Sequence, residues 1–479
     1  MKSTTKEFRN AASRALADVR LQEAHEVVYN GFHKARLSAA GDTDDWEAQR
    51  TLGKAIKDHT IANLDYYLDM LATNVEKNGG NVYFARDGED ANAYIRGIAT
   101  KNDVSTVIKS KSMVSEEMGL NHVLEADGIE VVETDLGEYI VQLAGEAPYH
   151  IIAPAIHKTK AQVADLLAEE SRSERRETAK ELTRQAREML REVFQRADLS
   201  VTGANFAVAE TGSIVLVTNE GNGRMATSMP RIHVAAMGME KLVPSAADLS
   251  AMLRILIRSA TGQRISAYVT MVNGPRAHDE EDGPEEFHLV IMNNGRDRLL
   301  RDESLREALN CIRCGACMNS CPVYRKVGGH SYGWVYPGPI GSIVSPVLTG
   351  LKDGAKLPAA SSLCGACHEA CPVKINIPRM LLELRSQTAQ GDPDPQQRAS
   401  GIGERMTWKA WRQGMMSRSR FEAGSSVGKI ATAPLKRDGW LRKVPPPISG
   451  WTESRDFPAP AAKTFGKMFA ERNKAKNGR

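Results

Sequence analysis

At 479 residues, with a formal charge of +4, 42% hydrophobic and 25% charged residues, the chain has the make-up of a globular protein of two or three domains. So small a charge excess, with aromatics at 6%, excludes a nucleic-acid surface as the main business of the molecule. The most apolar helical stretch, AMLRILIRS, is broken by Arg254 and Arg258 and the N-terminus is charged, so neither a membrane span nor a signal peptide is expected, and a reducing cytoplasm is.

From the N-terminus to Lys77, apolar residues recur at three and four and glycines end each run, which predicts helices. Short strands and helices then alternate. NVYFAR, STVIKSKS, IEVVETDL and YHIIAPA read as strands, and GEDANAYIRGIATKN, EEMGLNHVLEADG, YIVQLAG and KTKAQVADLLAEE as helices. Such alternation predicts an α/β layer on a mainly parallel sheet. Residues 173–197 form a long amphipathic helix dense in charge pairs. Strands follow at 205–209 and 213–218, joined by the turn Glu210-Thr211-Gly212, then at 230–238. After the helix DLSAMLRILIRSATG, RISAYVTMVNG and EEFHLVIMNNG read as a final pair of strands, and RDRLLRDESLREALN as the linker to Cys311.

All seven cysteines lie in two blocks. CIRCGACMNSCP places Cys311, Cys314, Cys317 and Cys321 at the C-x2-C-x2-C-x3-C-P spacing of bacterial [4Fe–4S] ligation, and LCGACHEACP adds Cys364, Cys367 and Cys371. The x2 intervals let three thiolates from one tight loop reach three iron corners, and Gly315 and Gly365 suit such loops. Where two clusters share such blocks, the cysteine before the proline serves the other cluster. That rule assigns Cys311, Cys314, Cys317 and Cys371 to one cluster and Cys321, Cys364 and Cys367 to the other. The second set is one thiolate short, because position 361 holds serine. Ser361 or Ser362, a water, a partner's residue or His368 could complete it, or it could be a three-iron form. Structural zinc, the competing reading of C-x2-C pairs, wants four ligands per metal and fits a four-plus-three pattern poorly.

The spacer between the blocks is rich in Gly and Pro and should wrap the clusters in helix and loop. Tyr332, Trp334 and Tyr336 within it are packing residues first, and a surface for electron exit second. Beyond Pro378 one more helix closes the module. The tail is read as irregular: KVPPPISGW is stiff and extended, and the basic end KTFGKMFAERNKAKNGR could attract an acidic partner or anionic lipid.

In an α/β sheet, ligands sit outside the carboxyl ends of strands. Candidate polar residues there are Lys111, Ser112, Glu116, Glu117, Glu133, Asp135, His157, Lys158, Glu210, Thr211, the run from Asn219 to Arg224, and His233. Asn222 and Arg224 in GNGR form a candidate anion site. No G-x-G-x-x-G follows the first strand, and neither a P-loop nor a nucleophile elbow occurs, so no nicotinamide or flavin signature is present.

The order KSMVSEEMGL, ETDLGEYIVQLAGEAPYHIIAPAIHKT, GANFAVAETGSIVLVTNEGNGR and EEFHLVIMNNGR, followed by the two cysteine blocks, resembles the lactate utilization protein B family over nearly the whole chain. The resemblance implies a LUD α/β domain, of the fold seen in phosphosugar isomerases and CoA-transferase-like proteins. An α-helical ferredoxin-type module with two iron–sulfur clusters and a family-specific tail would follow it. The corresponding segments are 1–77 (helical region of the LUD unit), 78–298 (LUD α/β domain), 299–390 (cluster module) and 391–479 (tail). It further implies the crossed ligand pattern above, with a three-cysteine second block. The implied role is an electron-transfer subunit in a complex oxidising L-lactate to pyruvate, beside a cysteine-rich iron–sulfur subunit and a second LUD-domain subunit. A different class of function is an autonomous enzyme whose α/β domain binds a carboxylate or CoA-like substrate, with the clusters as internal relay.

Overall fold

The computed structural model describes residues 3–390, 401–446, 449–453 and 455–477, and the chain divides into two compact units, 1–399 and 400–479. In the first unit the strands are β1 (Asn81–Ala85), β2 (Thr106–Ser110), β3 (Glu130–Glu133), β4 (Leu199–Gly203), β5 (Phe206–Val208), β6 (Ser213–Thr218), β7 (Ile232–Gly238), β8 (Leu242–Val243), β9 (Tyr268–Val272) and β10 (Glu286–Met292). Six of them make a wholly parallel sheet in the order β1-β10-β7-β4-β2-β3. β7 and β10 are buried along nearly their whole length, as strands covered on both faces must be, and that accounts for their continuous apolar text. A smaller sheet, β8-β5-β6-β9, packs beside it.

Helices cover the faces through apolar stripes. The helix Ala179–Arg196 buries Leu182, Ala186, Leu190 and Phe194, four residues apart, against Ile108 and Val132 of the sheet. It begins with a capping box between Thr178 and Glu181. The N-terminal helix Trp46–Ala62 spans the sheet and the cysteine blocks. Arg50 donates to the carbonyls of Cys371 (3.0 Å) and His368 (3.1 Å), and buried Lys57 donates to those of Glu240 (2.6 Å) and Leu242 (3.1 Å).

Three expectations from the sequence are corrected. Residues 149–155 are a turn, not a strand, because His150 Nδ1 accepts the amides of Ile152 (3.0 Å) and Ala153 (3.3 Å) and Pro154 has no N–H for a ladder. β9 and β10 do not pair. β10 enters the parallel sheet between β1 and β7, while the half-exposed β9 forms an edge antiparallel to β6. The tail is mainly helical, with Ile402–Met415, Arg418–Thr432 and Phe465–Asn477, and has a three-stranded antiparallel ribbon that buries Leu441. Between Pro-rich and Gly-rich breaks, the tail text has enough Ala, Arg, Lys, Met and Glu for helix. Lys443–Pro446 lack regular structure, and part of KVPPPISGW lies outside the described residues.

Candidate metal centre and adjoining cavity

Each cysteine block supplies a tight loop leading into a single helical turn, Ala316–Asn319 and Ala366–Ala370. The loops need left-handed backbone: Gly315 and Gly365 have φ of 75° and 87°, and Arg313 and Leu363, each just before a ligand-type cysteine, have 59° and 56°. A side chain at 315 is doubly disfavoured, since its Cβ would lie 3.1 Å from Ile152.

All seven thiols are free, and all but Cys311 and Cys364 are buried. Their mutual electrostatics fall into two groups. Burial pushes the Cys314 thiol up to about 12 and Cys371 up to about 11, and nearby charge adds to this: Cys371 and Cys311 act on Cys314, and Cys311 acts on Cys371. Cys317 is raised by burial and then by Cys311 and Cys314 before Cys367 and Cys371. In the other group burial and Cys321, then Cys364, push Cys367 up to about 12, and Cys321 is raised by burial and by Cys364. Backbone amides of Tyr324 and Ile375 approach Cys321 Sγ and Cys371 Sγ, each at 3.4 Å. Clustered, buried thiols facing one another, with amides aimed at sulfur, are poor neutral neighbours and a fitting donor set for a cationic metal centre that holds them as thiolates. Cys364 differs: it is exposed, and the amide of Ala366 and the hydroxyl of Ser362 hold it below the ordinary thiol range.

The Ser361 hydroxyl accepts the Leu363 amide at 3.1 Å, and its carbonyl takes Arg385 Nη2 at 3.0 Å, so this serine shapes the turn before Cys364. His368 Nδ1 is bonded to the Ile375 carbonyl at 2.9 Å. Tyr332, Trp334 and Tyr336 are all buried, in keeping with packing.

The switch point of the sheet lies between β2 and β4, where strand order reverses. Outside their carboxyl ends opens a cavity of about 520 Å³. Lys111 and Ser112 after β2, Asp135 after β3, and Asn219 and Glu220 after β6 line one side. Gly203 permits the approach of β4, since a Cβ there would lie 3.1 Å from the Lys111 carbonyl. Lys111 is held at φ 22°, a strained backbone for a lysine, and its ammonium donates to the Ile152 carbonyl at 2.6 Å. Beside it, burial raises the Glu138 carboxyl well above its ordinary value. Asp135, which burial would also raise, is brought below its ordinary value by Glu138 and by Lys111.

The opposite side belongs mainly to residues that the sequence reading passed over, Arg313, Glu240, Lys241 and Arg296, together with Tyr336 and Glu117, which it did single out. Arg313, inside the first cysteine block, lies 4.5 Å over the Tyr336 ring and donates to Glu240 Oε1 at 3.3 Å. Lys241 and Glu240 stand where the main sheet gives way to β8. Arg296, fully buried, binds Glu117 through both Nη atoms at 2.9 Å and Glu240 at 2.7 Å, and Tyr336 donates to Glu117 at 2.6 Å. The signal that could have found this side is charge inside apolar text: EK following HVAAMGM, and R between two cysteines.

The remaining candidates are elsewhere. Glu116 and Glu133 pair with buried Lys109. Glu210 accepts the Ala246 amide at the head of a helix, Thr211 bonds Ser213, and His233 is a core residue bonded to Thr202 at 2.8 Å, its ring driven down to about 3 by burial. His157 and Lys158 both bind Glu146. Asn222 and Arg224 face apart: the Asn222 amide is buried without a hydrogen-bond partner among the described residues, and Arg224 is exposed, 5.3 Å over Tyr268.

Among the described residues, no helix is long and apolar enough to cross a membrane. Residues 68–292 match the family described as LUD domain, 307–375 the 4Fe-4S dicluster domain, and 383–474 "Lactate utilisation protein B, C-terminal". Lactate utilization protein B of Bacillus licheniformis is 46% identical over 99% of both chains, and that of Bacillus subtilis 46% over 98% of both. A crystal structure of a DUF162 family protein from Deinococcus radiodurans, 12% identical, aligns with TM-score 0.28 over 48% of this chain and 98% of its own.

Proposed function

From its membership of the lactate utilization protein B family, we propose that this chain is the cytoplasmic electron-transfer subunit of a complex that oxidises L-lactate to pyruvate. Its partners in this reading are a cysteine-rich iron–sulfur subunit and a second LUD-domain subunit, with the basic end of the tail as a contact for an acidic partner or anionic lipid. The observation that carries the redox role is the grouping of the thiols. Cys311, Cys314, Cys317 and Cys371 would hold one cluster, and Cys321, Cys364 and Cys367 the other. When bound, such clusters supply one-electron transfer and do not by themselves accept hydride.

The chain's own residues distinguish the two sites. Arg36 and Arg50 act on the first group through Cys314 and Cys371, and Lys57, Lys241 and Arg313 through Cys311. The charges that weigh most on Cys321, Cys364 and Cys367 are instead those of one another and, at Cys364, of Glu369. Positive surroundings favour the more reduced state, so the first site should have the higher potential. Cys364, being exposed, gives the second site the nearer approach to a partner. The test is anaerobic iron and sulfide analysis with EPR on oxidised and dithionite-reduced protein. About eight irons with two interacting reduced centres are expected for two [4Fe–4S] clusters. A three-iron signal would mean the second site lacks a firm fourth ligand, and zinc without sulfide would overturn the redox reading. Reduction by lactate should require the partner subunits.

A further inference from the structure

The cavity contains a cation that makes no hydrogen bond of its own, although the charges of Glu240 and Cys311 act on it. Lys241 is 9% exposed and lines the space, yet its Nζ has no hydrogen-bond partner among the described residues, sulfur atoms included. Its neighbour Glu240 is already engaged by Arg296 and Arg313, and Arg313 Nη1 is buried and also without a partner. An ammonium on a mostly buried side chain with no acceptor of its own is costly, and an anionic ligand would supply the missing acceptor. Three further features agree. The cavity sits at the switch point, where open α/β sheets bind ligands. Lys111, on its wall, is held in a strained backbone. The remaining walls, with Phe32, Ile152, Leu216 and Leu256, are apolar, as a site for an organic molecule requires.

We propose that this cavity binds an organic anion whose carboxylate or phosphate is received by Lys241, with Arg313 as second donor, and whose apolar part rests on the Phe32 and Leu256 walls. The inference rests on the reading above only in its biological setting, since the site is built from the chain's own residues. Arg313 belongs to the loop between Cys311 and Cys314, so the bound molecule lies against the first cysteine block. Two sources share this chemistry: a small 2-hydroxy or 2-oxo carboxylate, and the phosphate end of a two-electron cofactor of mononucleotide size, for which a cavity of about 520 Å³ has room.

The experiment is calorimetric titration of the full-length, cluster-loaded protein, under anaerobic conditions, with L-lactate, pyruvate and flavin mononucleotide. Wild type is compared with Lys241→Met and Lys241→Arg, with iron content measured for each. Saturable binding of at least one probe is expected, weakened roughly tenfold to a hundredfold in Lys241→Met, as for a lost charge-assisted hydrogen bond, and largely retained in Lys241→Arg. Lactate or pyruvate as the binder identifies a substrate site, and flavin mononucleotide a cofactor site. No saturable binding of any probe to fully loaded wild type, or binding indifferent to Lys241→Met, overturns the proposal. Failure of the electron-transfer reading shows instead as missing iron and sulfide, whatever the titration gives.

Discussion

Replacing Arg296 by Met keeps most of the side-chain volume while leaving Glu117 and Glu240 buried without their shared guanidinium. Both carboxylates are at most 2% exposed on their side chains. Breaking a buried pair on one side costs about 3–5 kcal/mol. An independent figure agrees. Burial raises the Glu240 carboxyl, but Arg296, Arg313 and Lys241 outweigh it and hold it at about 2 against an ordinary 4.5, a preference for the ionised form worth about 3 kcal/mol. A unit of residues 1–399 unfolds with an entropy on the order of 0.8 kcal/mol/K, so the variant should melt about 5 °C lower near pH 7. The pH dependence separates charge from packing. In wild type Glu240 has a depressed pKa, so its contribution is complete above about 4.5 and is lost only as pH falls toward about 2. In Arg296→Met Glu240 no longer has that partner and takes up a proton more readily, so the deficit should shrink between pH 7 and pH 5.5. Thermal denaturation by circular dichroism at fixed scan rate, on anaerobic samples of matched iron content, measures both. A deficit below about 1 °C, or one identical at pH 5.5 and 8, refutes the reasoning.

Cys371→Ala and Cys321→Ala should each remove one cluster, lowering iron from about eight to about four per chain. In a redox titration followed by EPR, the centre lost in Cys371→Ala should be the one of higher potential. Ser361→Ala should leave iron content unchanged and cost about 1 kcal/mol, because its hydroxyl is spent on the Leu363 amide; lost iron would make it a ligand. Gly329→Ala should lower stability by about 3 kcal/mol or more, since its Cβ would fall 1.6 Å from the Tyr149 carbonyl, and unchanged urea denaturation would refute that packing.

Whatever was periodic or locally spaced could be read without coordinates. The apolar runs of β2, β7 and β10, the stripe from Leu182 to Phe194 and the cysteine spacing each follow from short-range rules. Residues 149–155 were misread, since HIIA has strand propensity and the histidine ring's capture of two amides, which adds to the missing N–H of Pro154, has no local signature. The partnership of β10 with β1 depends on contacts two hundred residues apart, which no window of sequence contains. At the candidate site, Lys111 and Asp135 were legible because they end strands. Lys241 and Arg313 were not, because what distinguishes them is the cavity wall they share and the donors, Lys241 Nζ and Arg313 Nη1, left without an acceptor on it, and that is a property of three-dimensional surroundings.

Arg313 also bears on how the halves of this protein can be recombined. It stands inside an iron-binding motif, yet its planar face rests on Tyr336 and its charge on Glu240, and Glu240 in turn shares Arg296 with Glu117. A chimera joined near residue 298 would separate these residues by parentage, and a motif transplanted alone would carry a guanidinium with no counter-charge. Exchange between relatives should therefore yield loaded, soluble hybrids only when positions 117, 240, 296, 313 and 336 travel as a set.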